Sequence, residues 1–252
     1  MGSRGRGGPG TAWGIALDVL LVAAFSTTAA FASDPPDSAT NPLSGYNEVT
    51  DSALTNGNYE VRHAVRPGQG ASPQVTILSS NPADDQGPRL AIAPDGDTAV
   101  VWWRDGSAGA VLLRERDYST GAWCPEVTLS LSNEDSRHPR ITHDGSNYWV
   151  SYLIPGNNQS SMAVLGVPNG PDPWEIGTRT IVATVSGSGD PDPAIAAESG
   201  NLWLTWVSSS TQVAWSEYDV ATATWGSVHS ESYANDTVQA ARARVRTAVL
   251  NN

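Results

Sequence analysis

The chain contains no lysine, because all 14 of its basic residues are arginine. This absence excludes catalysis through a lysine Schiff base, a phosphate-binding loop of the Walker A type and a serine nucleophile paired with lysine. Cysteine occurs once, at Cys124, so no disulfide can form within the chain. Both phenylalanines, Phe25 and Phe31, lie near the N-terminus. The core must therefore be built from tryptophan, tyrosine and aliphatic residues.

The first 32 residues have the three parts of a secretory signal peptide. Arg4 and Arg6 precede an apolar run at 19–25, and an A-x-A cleavage site follows at 30–32. We predict cleavage after Ala32 and a secreted, periplasmic or cell-surface location, with an uncleaved N-terminal anchor as the alternative. No segment after the signal peptide is apolar over the roughly 20 residues that a membrane-spanning helix needs.

The mature chain is strongly acidic. The formal net charge of the whole chain is −12, and removal of the signal peptide, with two arginines and one aspartate, makes it −13. Binding to phosphate groups requires a basic surface, so nucleic acid is not an expected partner. The charge is instead typical of a soluble exported protein.

A segment of about 50 residues recurs along the chain. Its copies start at Pro88 ("PRLAIAPDGDTAVVWW"), Pro139 ("PRITHDGSNYWVSYL") and Pro193 ("PAIAAESGNLWLTWV"). A later part recurs as well, since "ERDYSTGAW" at 115–123 matches "EYDVATATW" at 217–225. Each unit contains four short β-branched and aromatic runs separated by turn residues, which predicts four antiparallel strands. The sequence thus predicts an all-β, β-propeller-like fold of about four four-stranded blades.

The two ends of the repeat region leave the number of blades open. We predict a flexible leader at 33–57 and a propeller-like domain at 58–252, with units starting near 88, 139 and 193. Residues 58–87 resemble the second half of a unit, and residues 238–252 could supply its first half to complete a split blade. The alternatives are a ring that is incomplete in this chain and a C-terminal helix, because Val238, Ala241, Val245 and Val249 share a helical face.

The tryptophan that closes the third turn of each unit is predicted to pack between blades. These residues are Trp123, Trp174 and Trp225.

The motifs "PRLAIAPDGDTAVVWW", "RERDYSTGAW" and "EVTLS" resemble repeats of secreted bacterial sialidase-like, or BNR-type, β-propeller proteins. The resemblance covers roughly residues 58–245 and implies the propeller fold. It also implies, for a sialidase, three arginines that bind the substrate carboxylate and a Tyr/Glu nucleophile pair. Arg89 and Arg140 occupy equivalent places in two units, but Ala194 stands in the third, and no Tyr/Glu pair can be assigned. The Asp-box pattern of these families is also lost in the corresponding turns.

These departures favour an exported, non-enzymatic binding or scaffold protein that recognises a glycan or a cell-surface protein, and no catalytic residue is assigned. A degenerate sialidase-like glycoside hydrolase is the alternative. Exposed aromatic and charged residues at the ends of strands are the candidate ligand-binding groups, with core packing as the competing explanation for the tryptophans. The candidates are Trp103, Arg104, Asp105, Trp149 and Trp203.

The loops before the repeated prolines are acidic in all three units. Calcium prefers such oxygen ligands, so a calcium site is a hypothesis there, although turns are rich in aspartate for conformational reasons alone. No other cofactor is expected, because the four histidines match no zinc-binding spacing. The candidate metal ligands are Asp84, Asp85, Glu134, Asp135, Asp190 and Asp192.

Overall fold

The computed structural model describes residues 36–68, 71–106, 108–170, 176–186 and 191–232. Across these ranges the chain is all-β and forms four antiparallel sheets. The predicted signal peptide lies outside the described residues, as do Trp174, Asp190 and residues 238–252. In the described part of the chain, no helix is long and apolar enough to cross a membrane.

Each sheet is formed by strands that follow one another along the chain. The first sheet contains β1 (Asp37–Thr40), β2 (Asn47–Thr55), β3 (Asn58–Arg66) and β4 (Gln74–Ile77). The second contains β5 (Asp85–Ile92), β6 (Thr98–Arg104), β7 (Ala110–Arg116) and β8 (Val127–Thr128). The third contains β9 (Arg137–His143), β10 (Asn147–Gly156), β11 (Gln159–Pro168) and β12 (Thr180–Ser186). The fourth contains β13 (Ala194–Glu198), β14 (Asn201–Ser209), β15 (Gln212–Asp219), β16 (Thr224–Trp225) and β17 (His229–Ser232).

The repeat starts predicted at 88, 139 and 193 fall at the beginning of the first strands of the second, third and fourth sheets. The first strand of each sheet contacts the first strand of the next, in the order β1, β5, β9 and β13. These four strands form the inner side of the stacked sheets. The last strands are the most exposed, as in β4, where all four residues face solvent. The predicted propeller-like units of antiparallel strands are confirmed by this topology, with four strands in the first three sheets and five in the fourth.

The predicted flexible leader at 33–57 is wrong over most of its length. Residues 37–40 and 47–55 are β1 and β2, and they supply the first half of the first sheet. Residues 58–77 are its third and fourth strands, so this sheet has four strands without residues 238–252. The strand β2 was hard to recognise because it buries three polar groups, Glu48, Thr50 and Ser52, and so departs from an apolar pattern.

Hydrophobic clusters fill the spaces between successive sheets. Val61 and Leu78 of the first sheet pack against Val100 and Trp102 of the second. A larger cluster joins the second and third sheets, and Leu204 and Trp206 of the fourth belong to a cluster with residues of the third sheet. Stacking therefore buries the apolar faces that a single twisted sheet would leave in water.

Two of the turn tryptophans pack as predicted. Trp123 lies against the cluster between the first and second sheets, and its ring meets His63 of the first sheet edge-on, with centroids 5.0 Å apart. Trp225 packs against the cluster that joins the third and fourth sheets, and its ring centroid lies 5.1 Å from that of Tyr218.

Candidate functional site: the entry face

The inner strands begin on one side of the protein, which we call the entry face and define by Asp37, Arg89, Arg140 and Ala194. Strand register makes these four residues equivalent, because they pair with Thr50, Val101, Ser151 and Thr205 at matching places in the second strands. The opposite side, which carries the turns at 93–97 and 143–147, is called the hairpin face. An antiparallel sheet puts the end of each second strand, such as β6, on the entry face as well.

A left-handed backbone conformation marks the start of each repeat on the entry face, and it is strained where the residue is not glycine. The residue before each repeated proline has a positive φ: 58° at Gly87, 52° at His138 and 41° at Asp192. Glycine adopts this conformation freely, whereas a non-glycine residue pays a conformational cost. Strain of this kind persists only where the surrounding structure holds it, and it clusters at functional sites. The geometry repeats in three sheets, so it is a property of the repeat.

Arg89 and Arg140 have the same side-chain arrangement. In each, Nη1 donates to the carbonyl oxygen of the preceding proline, at 2.7 Å for Arg89 and 3.0 Å for Arg140. Arg140 Nη2 also pairs with Asp192 Oδ1 at 2.6 Å, which links the third sheet to the start of the fourth. Asp37 makes a corresponding link between the first two sheets, since its Oδ2 accepts from the Leu90 N–H at 3.0 Å.

Arg104 is held by two carboxylates at the end of β6. Its guanidinium contacts Asp85 Oδ1 at 2.8 Å and Glu126 Oε2 at 2.8 Å. Asp85 is fully buried and accepts a further hydrogen bond from Asn81 Nδ2 at 2.5 Å. Burial lowers the pKa of Arg104, but the hydrogen bonds to Glu126 and Asp85 outweigh this effect and raise it.

Trp103 lies at the boundary between the second and third sheets on the entry face. The His138 ring stacks on it, with centroids 6.3 Å apart and planes 8° from parallel, and the Arg137 guanidinium lies 5.8 Å from a Trp103 ring centroid. Arg137 is in turn paired with Asp135 at 2.8 Å. The side chains of Arg137 and Asp135 are 41% and 39% exposed. This group therefore combines a half-buried aromatic ring with an ion pair that is exposed to solvent.

The structure brings only some of the predicted ligand-binding residues together. Trp103, Arg104 and Asp105 lie at the end of β6 on the entry face. Trp149 lies near the start of β10, where Nε1 donates to Asp144 Oδ2 at 2.6 Å and the ring packs near Tyr218. Trp203 lies near the start of β14, also toward the hairpin face. The two later tryptophans are therefore separated from Trp103 by the length of a strand.

The predicted metal ligands are engaged by other groups. Asp85, Asp135, Asp192 and Glu134 pair with Arg104, Arg137, Arg140 and Arg179 respectively. Asp84 Oδ1 accepts from the Tyr59 N–H at 2.8 Å. In the described ranges, no three His, Cys, Asp or Glu side chains are grouped as a metal site would need. The calcium hypothesis stays an untested prediction, with Asp190 outside the described residues.

Sequence reasoning missed two buried polar groups near the hairpin face. Glu48 lies between the first two sheets, where it contacts His63 Nε2 at 2.8 Å and accepts from Thr98 Oγ1 at 2.9 Å. Glu115 lies between the second and third sheets, where burial, reinforced by the charges of Asp97 and Asp95, raises its pKa to about 8. The one sequence signal was the equivalence of Glu115 and Glu217 in the repeated "ERDY" and "EYDV" segments.

No protein-family model and no curated protein matches the chain. Among solved structures, it is similar to Trypanosoma rangeli sialidase in complex with sialic acid, with a TM-score of 0.52 and 12% sequence identity over 76% of this chain and 36% of that one. The complex of the same sialidase with the inhibitor DANA gives a TM-score of 0.51, 12% identity and coverage of 76% and 37%. A thermostable family-43 glycoside hydrolase gives 0.46 and 12%, over 80% and 72%.

The chain thus spans little more than a third of the sialidase structures that it resembles. At this level of identity the likeness concerns the fold alone. It agrees with the four stacked antiparallel sheets and with the propeller resemblance found in the repeats. The chain has a sialidase-like β-propeller fold.

Proposed function

We propose that the protein is an exported, non-enzymatic β-propeller that binds a glycan on its entry face. The observation that carries this proposal is the group formed by Trp103, Arg137 and Asp135. A sugar ring offers an apolar C–H face and a rim of hydroxyl groups. The exposed part of the half-buried indole ring complements the first by apolar contact, and the exposed ion pair complements the second with hydrogen-bond donors and acceptors.

The deeper part of the entry face supports the same proposal. Arg89 and Arg140 are repeated there with a shared geometry and are pre-positioned by their proline carbonyls. Pre-positioned groups lose little conformational entropy on binding, which favours affinity. Export rests on the signal peptide at 1–32, and N-terminal sequencing of the secreted protein should begin at Ser33.

The second candidate is a degenerate sialidase-like glycoside hydrolase, favoured by the fold and by the paired arginines. A glycosidase needs a carboxylic acid that stays protonated near neutral pH beside its substrate. The carboxyl groups with raised pKa, Glu115 and Asp97, lie toward the hairpin face and are raised mainly by burial. This placement favours binding over hydrolysis. Turnover of a fluorogenic sialoside by the purified protein would instead establish the hydrolase.

The test is calorimetric titration of the mature protein with a panel of neutral and carboxylate-bearing oligosaccharides. We expect saturable binding that Trp103→Ala weakens by about tenfold or more, because an aromatic contact and its buried area are lost. Tyr46→Ala is the matched control, since Tyr46 is 40% exposed and lies at the opposite end of the sheets. Binding that is equally affected by both substitutions, or absent with every glycan, would refute the proposal.

A further inference from the structure

Glu115 is a buried acid that the proposed binding site does not use. It is 2% exposed and lies near the end of β7, directly opposite Ala99 of β6. Ala99 belongs to the hydrophobic cluster between the second and third sheets, so the carboxyl group of Glu115 is on the face that packs against the third sheet. It thus sits inside the interface between these sheets.

The hydrogen bonds around Glu115 suit a neutral carboxylic acid. The hydroxyl of Tyr148, a fully buried residue of the third sheet, donates to the Asp97 carbonyl oxygen at 3.0 Å. That hydroxyl also interacts with Glu115, which by itself lowers the pKa of Glu115, but its single proton is already donated to Asp97, so it gives an ionised Glu115 little support. A protonated Glu115 can therefore donate to Tyr148 Oη and continue the chain of bonds across the interface. Among the described residues, Glu115 Oε1 has no hydrogen-bond partner.

The charged groups that face Glu115 oppose its ionisation. Asp95 and Asp97 approach from the turn between β5 and β6 and raise its pKa, whereas a hydrogen bond from the Gly170 N–H, which follows β11, lowers it. His143, in the β9–β10 turn, packs edge-on against Tyr148, and burial lowers its pKa, which favours its neutral form.

The neighbouring arginine in sequence does not neutralise Glu115. Arg116 faces the other side of the second sheet, where its Nη1 lies 3.6 Å from Glu48 Oε1 of the first sheet. Asp144, in the β9–β10 turn, adds a further negative charge near His143, with which it interacts electrostatically. An ionised Glu115 would therefore be a buried carboxylate facing two aspartates, which the closed interface disfavours.

We propose that Glu115 is a proton-controlled latch between the second and third sheets, which is closed while its carboxyl group is neutral and opens when that group loses its proton to solvent. Because the pKa of Glu115 is raised from its ordinary value near 4.5 to about 8 in the closed interface, the closed form loses stability progressively as the pH rises between these two values. The opening separates the two sheets that carry Trp103 and His138, so the latch connects pH to the shape of the entry face.

The test compares the wild type with Glu115→Gln and with Glu217→Gln between pH 6 and pH 10. Glu217 occupies the equivalent place in the fourth sheet, is half-buried and accepts from Asn201 Nδ2, which makes it a matched control. Amide-exchange protection factors, corrected for intrinsic rates, are measured for β7 and β10 and for the distant strand β3. The wild type and Glu217→Gln should lose at least tenfold protection in β7 and β10 as the pH rises from 6 to about 8, with no further loss above that pH, while β3 keeps its protection.

Glu115→Gln should show no such pH-dependent loss. If Glu115→Gln does not fold, the wild type and Glu217→Gln still test the proposal, because the pH-dependent loss of protection must be larger in β7 and β10 than in β3. A pH-independent profile in the wild type, a loss spread uniformly over all three strands, or an unchanged loss in Glu115→Gln would overturn the proposal.

Discussion

The pair formed by Arg104 and Asp85 allows a quantitative test of the ion pairs on the entry face. Asp85 is fully buried, and Arg104 Nε and Nη2 contact its two oxygens at 2.8 and 3.2 Å. Arg104→Met removes the charge but keeps much of the side-chain volume. Of the contacts described here, Asp85 then retains the hydrogen bond from Asn81 Nδ2. An uncompensated buried carboxylate of this kind costs about 3–5 kcal/mol of unfolding free energy.

Urea denaturation measures this loss, and a double-mutant cycle identifies its origin. The double variant Arg104→Met with Asp85→Asn should recover about 2 kcal/mol or more of the loss, because it removes the buried charge as well as its partner. Arg137→Met is the matched control. Its partner Asp135 is 39% exposed, so this loss should be below about 1 kcal/mol. Equal losses for Arg104→Met and Arg137→Met, or no recovery in the double variant, would refute the reasoning.

Two further predictions concern the hairpin face. Burial alone would raise the pKa of Glu48, but hydrogen bonds, first among them that of His63, lower it overall. The ionised form of Glu48 therefore stabilises the folded state above pH about 4.5, and this stabilisation is lost as the pH falls further. Urea unfolding from pH 6 to pH 3 should therefore show a steeper loss in the wild type than in Glu48→Gln, and parallel curves would contradict this assignment. Gly96→Ala should destabilise by more than about 1 kcal/mol, because φ is 87° and the new Cβ would lie 2.8 Å from Tyr118 Cγ. Gly145→Ala is the control for the backbone effect, because φ is 104° and no atom lies near the new Cβ. Thermal melts in which both variants lose the same stability would exclude a role for the Tyr118 contact.

The repeat in the sequence predicted the second, third and fourth sheets because their second strands are long apolar runs, as in Val100, Val101 and Trp102. The first half of the first sheet, β1 and β2, escaped recognition for a physical reason. Its β2 buries Glu48, which accepts hydrogen bonds from Asn41 in the preceding turn and from Thr98 of the second sheet, and a single sequence does not reveal such partners. Strand patterns depend on burial of apolar groups, so a strand with a buried polar face resembles a loop.

The candidate site was predicted in part for a similar reason. The acidic residues before the prolines were recognisable, but their arginine partners were not, since Arg140 and Asp192 are 52 residues apart. The tryptophans were grouped by their occurrence in second strands, although the direction of a strand places Trp103 and Trp149 at opposite ends. Position along the strand, rather than residue type, decides which face of the protein a side chain reaches.

The central claim is that a glycan binds the entry face. Hydrogen–deuterium exchange of the mature protein, with and without the glycan that titrates most tightly, tests it most directly, because bound ligand slows local opening of the segments that it covers. We predict added protection in segments 84–89, 103–106 and 135–140 and none in the turns at 93–97 and 143–147. Protection confined to those turns, or no change in any segment with any glycan of the panel, would contradict the account.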